Sequence, residues 1–132
     1  RIIRLLWRGL SEYIVQKNID YIIGCASFQG NNIEEVSERL SYLHHYHLAP
    51  KKIRSQPLRQ KSIHYKIIPK KKIKQFEVFK KLPPLIKAYL RVGSWIGEGA
   101  IIDKEFNTID VCIILKKENI LSKYLNMSEK KS

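Results

Sequence analysis

The sequence is short of acid, cysteine and methionine, and it has no long unbroken apolar run. There are 12 Asp and Glu against 25 Lys and Arg, two cysteines and one methionine in 132 residues. No apolar run approaches the roughly 18–20 residues that a membrane span requires, and Arg1, Arg4 and Arg8 break the first apolar stretch, so no signal peptide is expected from it. Cys25 and Cys112 stand far apart in apolar, strand-like runs. They read as two reduced, buried thiols rather than a disulfide or a metal site, and the cytoplasm is the expected compartment.

The composition holds what a single domain needs. With 44% hydrophobic residues the chain can bury a core. Its charge of +13 is unevenly spread. Residues 51–81 carry 12 basic groups and one acid, Glu77, while the other 101 residues carry 13 basic and 11 acidic groups. A patch of that kind suits nucleic acid, an anionic membrane surface or an acidic protein. Drift on a solvated face, in a chain that prefers Lys to Arg, is the bland alternative.

The spacing of Ile2, Ile3, Leu6, Leu10, Tyr13 and Ile14 predicts an amphipathic helix over residues 1–17. Tyr21–Phe28 reads as a buried strand. Asn32, with Glu35 three residues on, predicts the cap of a helix that carries Val36, Leu40 and Leu43 and runs to about Tyr46. A strand is expected at Ser62–Ile68 and a helix at Ile73–Lys81. Pro83 and Pro84 should open a helix over 85–92. Gly93, Gly97 and Gly99 suggest a tight loop region around Trp95 and Glu98, followed by strands at Ala100–Ile102 and Asp110–Leu115. The tail after about Tyr124 is polar and reads as frayed. This order is α/β, and periodicity alone gives no function.

Five segments in order resemble one family: Leu6-Trp7-Arg8-Gly9-Leu10, Gly24-Cys25-Ala26-Ser27-Phe28, Leu40 to His47, Leu82 to Arg91, and Phe106 to Cys112. Together they are similar to the C-terminal portion of the bacterial ornithine–acyl-[acyl carrier protein] N-acyltransferases, also called hemolysin-like proteins, whose fold is GNAT-like. The resemblance covers residues 1–124, with 125–132 as a polar tail. It implies a partial GNAT-like fold with a mixed sheet flanked by helices and its N-terminal half missing. It further implies transfer of a 3-hydroxyacyl group from acyl carrier protein to the α-amino group of ornithine, giving lyso-ornithine lipid. The donor is the acyl-phosphopantetheine of the carrier, and no metal or other cofactor is required. In GNAT-like folds the acyl-pantetheine cleft lies before the helix matched here by residues 1–17, so a separately encoded N-terminal half is a candidate partner.

Such chemistry needs a proton acceptor for the attacking ammonium, donors facing the thioester oxyanion and a means of holding both substrates together. Glu98, between two glycines, could bind the ammonium or accept its proton, or be a solvated turn residue. Asp110 could orient a His or Arg, bind substrate, or cap a strand start. His44 joins them as a catalytic candidate. His44 and His47 stand three apart on a helix, but no nearby Cys, Asp or Glu completes a metal-ligand set, and partly buried histidines bonded to backbone or to a carboxylate are the favoured reading. Arg8, Ser27, His47 and Arg91 are the substrate-binding candidates. The basic segment would meet acyl carrier protein or the cytoplasmic membrane, placing the chain in the cytoplasm or peripherally at the inner membrane. A basic nucleic-acid-binding module is the rival reading, with Tyr65, Phe76 and Phe79 among the lysines, although no nucleic-acid signature is present. An inactive remnant is the third.

Overall fold

A nine-residue strand at the middle of the sheet organises this molecule. The computed structural model describes residues 20–51, 53, 62–63 and 65–129. The helix expected over 1–17, with Arg8, lies outside the described residues. The strands are β1 (Tyr21–Gln29), β2 (Ser62–Ile63), β3 (Trp95–Ile96), β4 (Ala100–Asp103) and β5 (Thr108–Lys116), and the helices are α1 (Ile33–His47), α2 (Gln75–Lys80), α3 (Pro84–Arg91) and α4 (Lys117–Glu129). A 3-10 turn at Lys70–Lys72 precedes α2. The strand order is β1-β5-β4-β2, with β3 also on β5. The sheet expected to be mixed has antiparallel ladders throughout. Its one parallel element among the described residues is the isolated Leu48–Ile96 bridge.

β5 holds the centre because Val111, Ile113, Ile114 and Leu115 suit a sheet interior on both faces, and all four are buried. β1 runs beside it for nine pairs, from Tyr21–Lys116 to Gln29–Thr108. Alternation along β1 then assigns the two faces. Ala26 and Phe28 are buried, whereas Tyr21, Ile23, Cys25 and Ser27 are exposed. The run read as a wholly buried strand is therefore a half-covered one.

The helices gather on the Phe28 face. Val36, Leu40 and Leu43 of α1, Val78 of α2, Ile86 and Leu90 of α3, and Ile120 of α4 share one core with Phe28, Ile109, Val111 and Ile113. Each such side chain contributes about 1.5–3 kcal/mol on burial. Asn32 caps α1 as its sequence predicts, its side-chain oxygen accepting from Glu34 N at 3.0 Å. Proline opens α3 at its first turn.

Three further expectations are corrected. The strand predicted over Ser62–Ile68 stops at Ile63, and Tyr65–Pro69 is irregular. Ile68 gives its N–H to Ser41 Oγ at 3.0 Å, and its carbonyl accepts from His45 Nε2 at 2.7 Å, so its backbone is engaged by α1 and not by a ladder. The region around Trp95 is a short strand on β5 rather than a loop. The tail read as frayed continues as helix to Glu129, anchored at its first turns by fully buried Ile120.

Candidate functional site

The face of the sheet opposite the Phe28 core carries a carboxylate with two hydroxyl partners. Ser27 on β1 lies directly opposite Asp110 on β5, and its hydroxyl donates to Asp110 Oδ1 at 2.6 Å. Thr108, two residues before Asp110 and on the same face, donates its Oγ1 hydroxyl to the same oxygen at 2.8 Å. Thr108 is buried, Asp110 half-buried and Ser27 exposed. A carboxylate is an acceptor only, so two converging donors hold it in place while the cluster stays open to solvent on the Ser27 side. Such an arrangement can bind a cation or an ammonium, or take a proton from one.

Cys25 and Cys112 occupy the next pair along on this face. Both are thiols rather than a disulfide. The expectation that both are buried is overturned: Cys25 is exposed and Cys112 half-buried, and they face each other across the ladder. Burial, the Asp110 charge and Cys112 together push the Cys25 thiol upward.

Glu98 sits on a bulge. β3 pairs Ile96 with Ile113, but β4 pairs Ile101 with Asp110. Four residues, Gly97–Ala100, therefore oppose Val111 and Cys112, and the insertion pushes Glu98 out of the ladder. Gly97 still donates its N–H to the Cys112 carbonyl at 3.0 Å. Gly99 turns the chain at φ +81°, a conformation that glycine adopts without the Cβ penalty. Glu98 is exposed and lies close enough to Tyr65 for its charge to act there. The Tyr65 hydroxyl is pushed up to about 12, first by burial and then by Glu98, and it donates to the Leu40 carbonyl at 3.4 Å.

The histidines belong to the helical layer. The His44 ring meets His45 edge-on at 5.5 Å. His47 Nε2 is 3.0 Å from the Tyr42 hydroxyl, and burial lowers the His47 pKa. Arg91, at the end of α3, lies with its guanidinium 5.6 Å from the Phe79 ring centre and lines a cavity of about 170 Å³ with Val92, Asn119, Ser122 and Lys123. The structure thus brings Ser27 and Asp110 together on one face of the sheet. It sets His44, His47 and Arg91 on helices packed against the other face. Arg8 lies outside the described residues. Among the described residues, no group of three or more His, Cys, Asp or Glu is arranged to hold a metal ion, and no helix is long and apolar enough to cross a membrane.

Sequence reasoning named Ser27 and Asp110 separately and missed Thr108 as their partner. The alternation from Thr108 to Asp110 in a strand was the available signal; the pairing with β1 had none.

Comparison with known proteins gives a consistent answer. The chain is 40% identical over 128 residues to the L-ornithine N(alpha)-acyltransferase of Brucella abortus, covering 96% of this chain and 45% of that protein. It is 36% identical over 126 residues to the protein of the same name from Agrobacterium fabrum, covering 96% and 43%. The figures for the Rhodobacter capsulatus protein are 34% over 120 residues, 91% and 46%. The chain thus spans less than half the length of the curated relatives it matches. No family model matches it, and no solved structure matches it. Identity of 34–40%, sustained along more than nine-tenths of its length, makes this chain similar to part of the L-ornithine N(alpha)-acyltransferases.

Proposed function

We propose that this chain is part of an N-acyltransferase that moves a 3-hydroxyacyl group from acyl carrier protein to the α-amino group of ornithine. The observation that carries the reading is the identity to proteins of that name along nearly the whole chain. In the reaction the ammonium gives one proton to a base or to solvent, the amine nitrogen bonds to the thioester carbonyl carbon, the carbon–sulfur bond breaks, and the second proton lost by nitrogen ends on the departing thiol. Asp110, positioned by Ser27 and Thr108, serves this chemistry by holding the ornithine ammonium on the open sheet face. Glu98, exposed on its bulge, is the second carboxylate available to it. The carrier's acidity suits the basic segment 51–81, which also suits the anionic surface of the cytoplasmic membrane where a lyso-lipid product would go.

The test is an acyl-transfer assay with 3-hydroxyacyl carrier protein and ornithine. It follows thiol release and lyso-lipid, with this chain alone and with a polypeptide covering the remaining length of the relatives. Lyso-ornithine lipid in either arm supports the proposal. Folded protein that yields no product in both arms would sink it, and salt-sensitive binding to arbitrary DNA or RNA would then favour a nucleic-acid module.

A further inference from the structure

The register of β1 on β5 can be read down to individual hydrogen bonds. In an antiparallel ladder, directly opposed residues alternate between hydrogen-bonded and non-hydrogen-bonded pairs. Lys117 N donates to Asp20 O at 2.9 Å, and Gly30 N donates to Asn107 O at 2.8 Å. These two bonded pairs flank the ladder at even-numbered residues of β1, so the odd-numbered ones form the non-bonded pairs. Cys112 agrees independently, because its carbonyl accepts from Gly97 on the opposite edge of β5. Cys25–Cys112 is therefore a non-hydrogen-bonded pair, the type whose Cα atoms lie about 4.5 Å apart and whose side chains come closest.

We infer that Cys25 and Cys112 form a cross-strand dithiol that a disulfide oxidant closes into an intrachain bond between β1 and β5. The Cα separation of such a pair lies at the short end of the roughly 4.4–6.8 Å range that disulfides occupy. A strained, exposed bond of this kind is readily reduced again. Access fits the same role, since Cys25 is exposed and Cys112 half-buried. With glutathione disulfide as oxidant, the Cys25 thiolate attacks one sulfur and releases a first glutathione thiol. The Cys112 thiolate then attacks the Cys25 sulfur and releases a second. The two thiol protons leave on the two glutathiones, the protein loses two electrons, and the oxidant gains them. The raised Cys25 thiol makes closure faster as pH rises. Ser27 follows Cys25 by two residues on the same face, about 7 Å along the strand, so the bond forms one pair from the Ser27–Asp110 contact.

The test equilibrates the wild-type chain in glutathione redox buffers, native and in urea, and maps the linked peptides by mass. The expected result is a Cys25–Cys112 link, reversed by dithiothreitol. Its effective concentration should be at least ten times higher in native protein, confirmed as folded by circular dichroism, than in urea. An equal or lower native value, or only single-glutathione adducts on Cys25, would overturn the inference. In Cys112→Ser the Cys25 adduct should persist; an adduct no longer-lived than in wild type counts against a resolving role for Cys112.

Discussion

At the scale of residues, Asp110 is the position on which most rests. Its two hydroxyl donors converge on one oxygen, and an amide in its place keeps the shape while losing the charge. In the assembly that carries the proposed activity, Asp110→Asn should lower kcat/KM by about 10²-fold or more, measured as thiol release at limiting ornithine. Ser27→Ala should cost less, because Thr108 still donates. His47 makes a prediction about pH. Burial depresses its folded pKa below the ordinary histidine value of 6.5, so between those two values the unfolded chain binds more protons. Stability then falls as pH drops through 6.5 toward the folded value. Thermal melts across pH 5–8 should show this slope, and His47→Gln should flatten it.

Single residues also show where sequence was legible. Asn32 is an N-cap recognisable from its own type and the helix that follows, since capping is a local matter. Asp110 was identifiable as a carboxylate entering an apolar strand, which physical cost makes conspicuous. Its partner was not, because Ser27 lies 83 positions away and only strand pairing brings them together. Nothing local to Cys25 or Cys112 predicted that they would share one rung.

At the scale of elements, α1 and α4 are the instructive pair. Asn32→Ala removes the bond to Glu34 N and should destabilise the protein by about 0.5–2 kcal/mol, read from urea unfolding. α4 was missed because its polar residues resemble a tail, and the packing of one side chain decides otherwise. Ile120 is fully buried, so Ile120→Ala should cost about 2–5 kcal/mol; a loss below 1 kcal/mol would mean α4 is not part of the core. The strand expected at Ser62–Ile68 fails for a related reason. β-Branched residues favour strands, but Ser41 and His45 of α1 take the backbone groups of Ile68, and those hydrogen bonds compete directly with a ladder.

At the scale of the whole molecule, two asymmetries matter. Among the described residues, helices cover one face of the sheet, while the other presents Tyr21, Ile23, Cys25 and Ser27 on β1 and keeps Ile114 of β5 buried. The charge is concentrated in residues 51–81. If that segment meets an acidic carrier, association should weaken by on the order of tenfold between 50 and 500 mM salt, as measured by titration against acyl carrier protein. A salt-independent affinity would remove the steering role from the segment.

Length, charge distribution, the α/β order and the family resemblance were determined by the sequence itself, because composition, periodicity and local caps are short-range properties. The placement of Ser27 against Asp110, of Cys25 against Cys112, and of Glu98 on a two-residue bulge was decided only by tertiary structure. The two pairings depend on the register between strands some eighty residues apart, and the bulge on how β3 and β4 each pair with β5. A shift of one residue in β1 would move Cys25 and Ser27 to the face opposite Cys112 and Asp110.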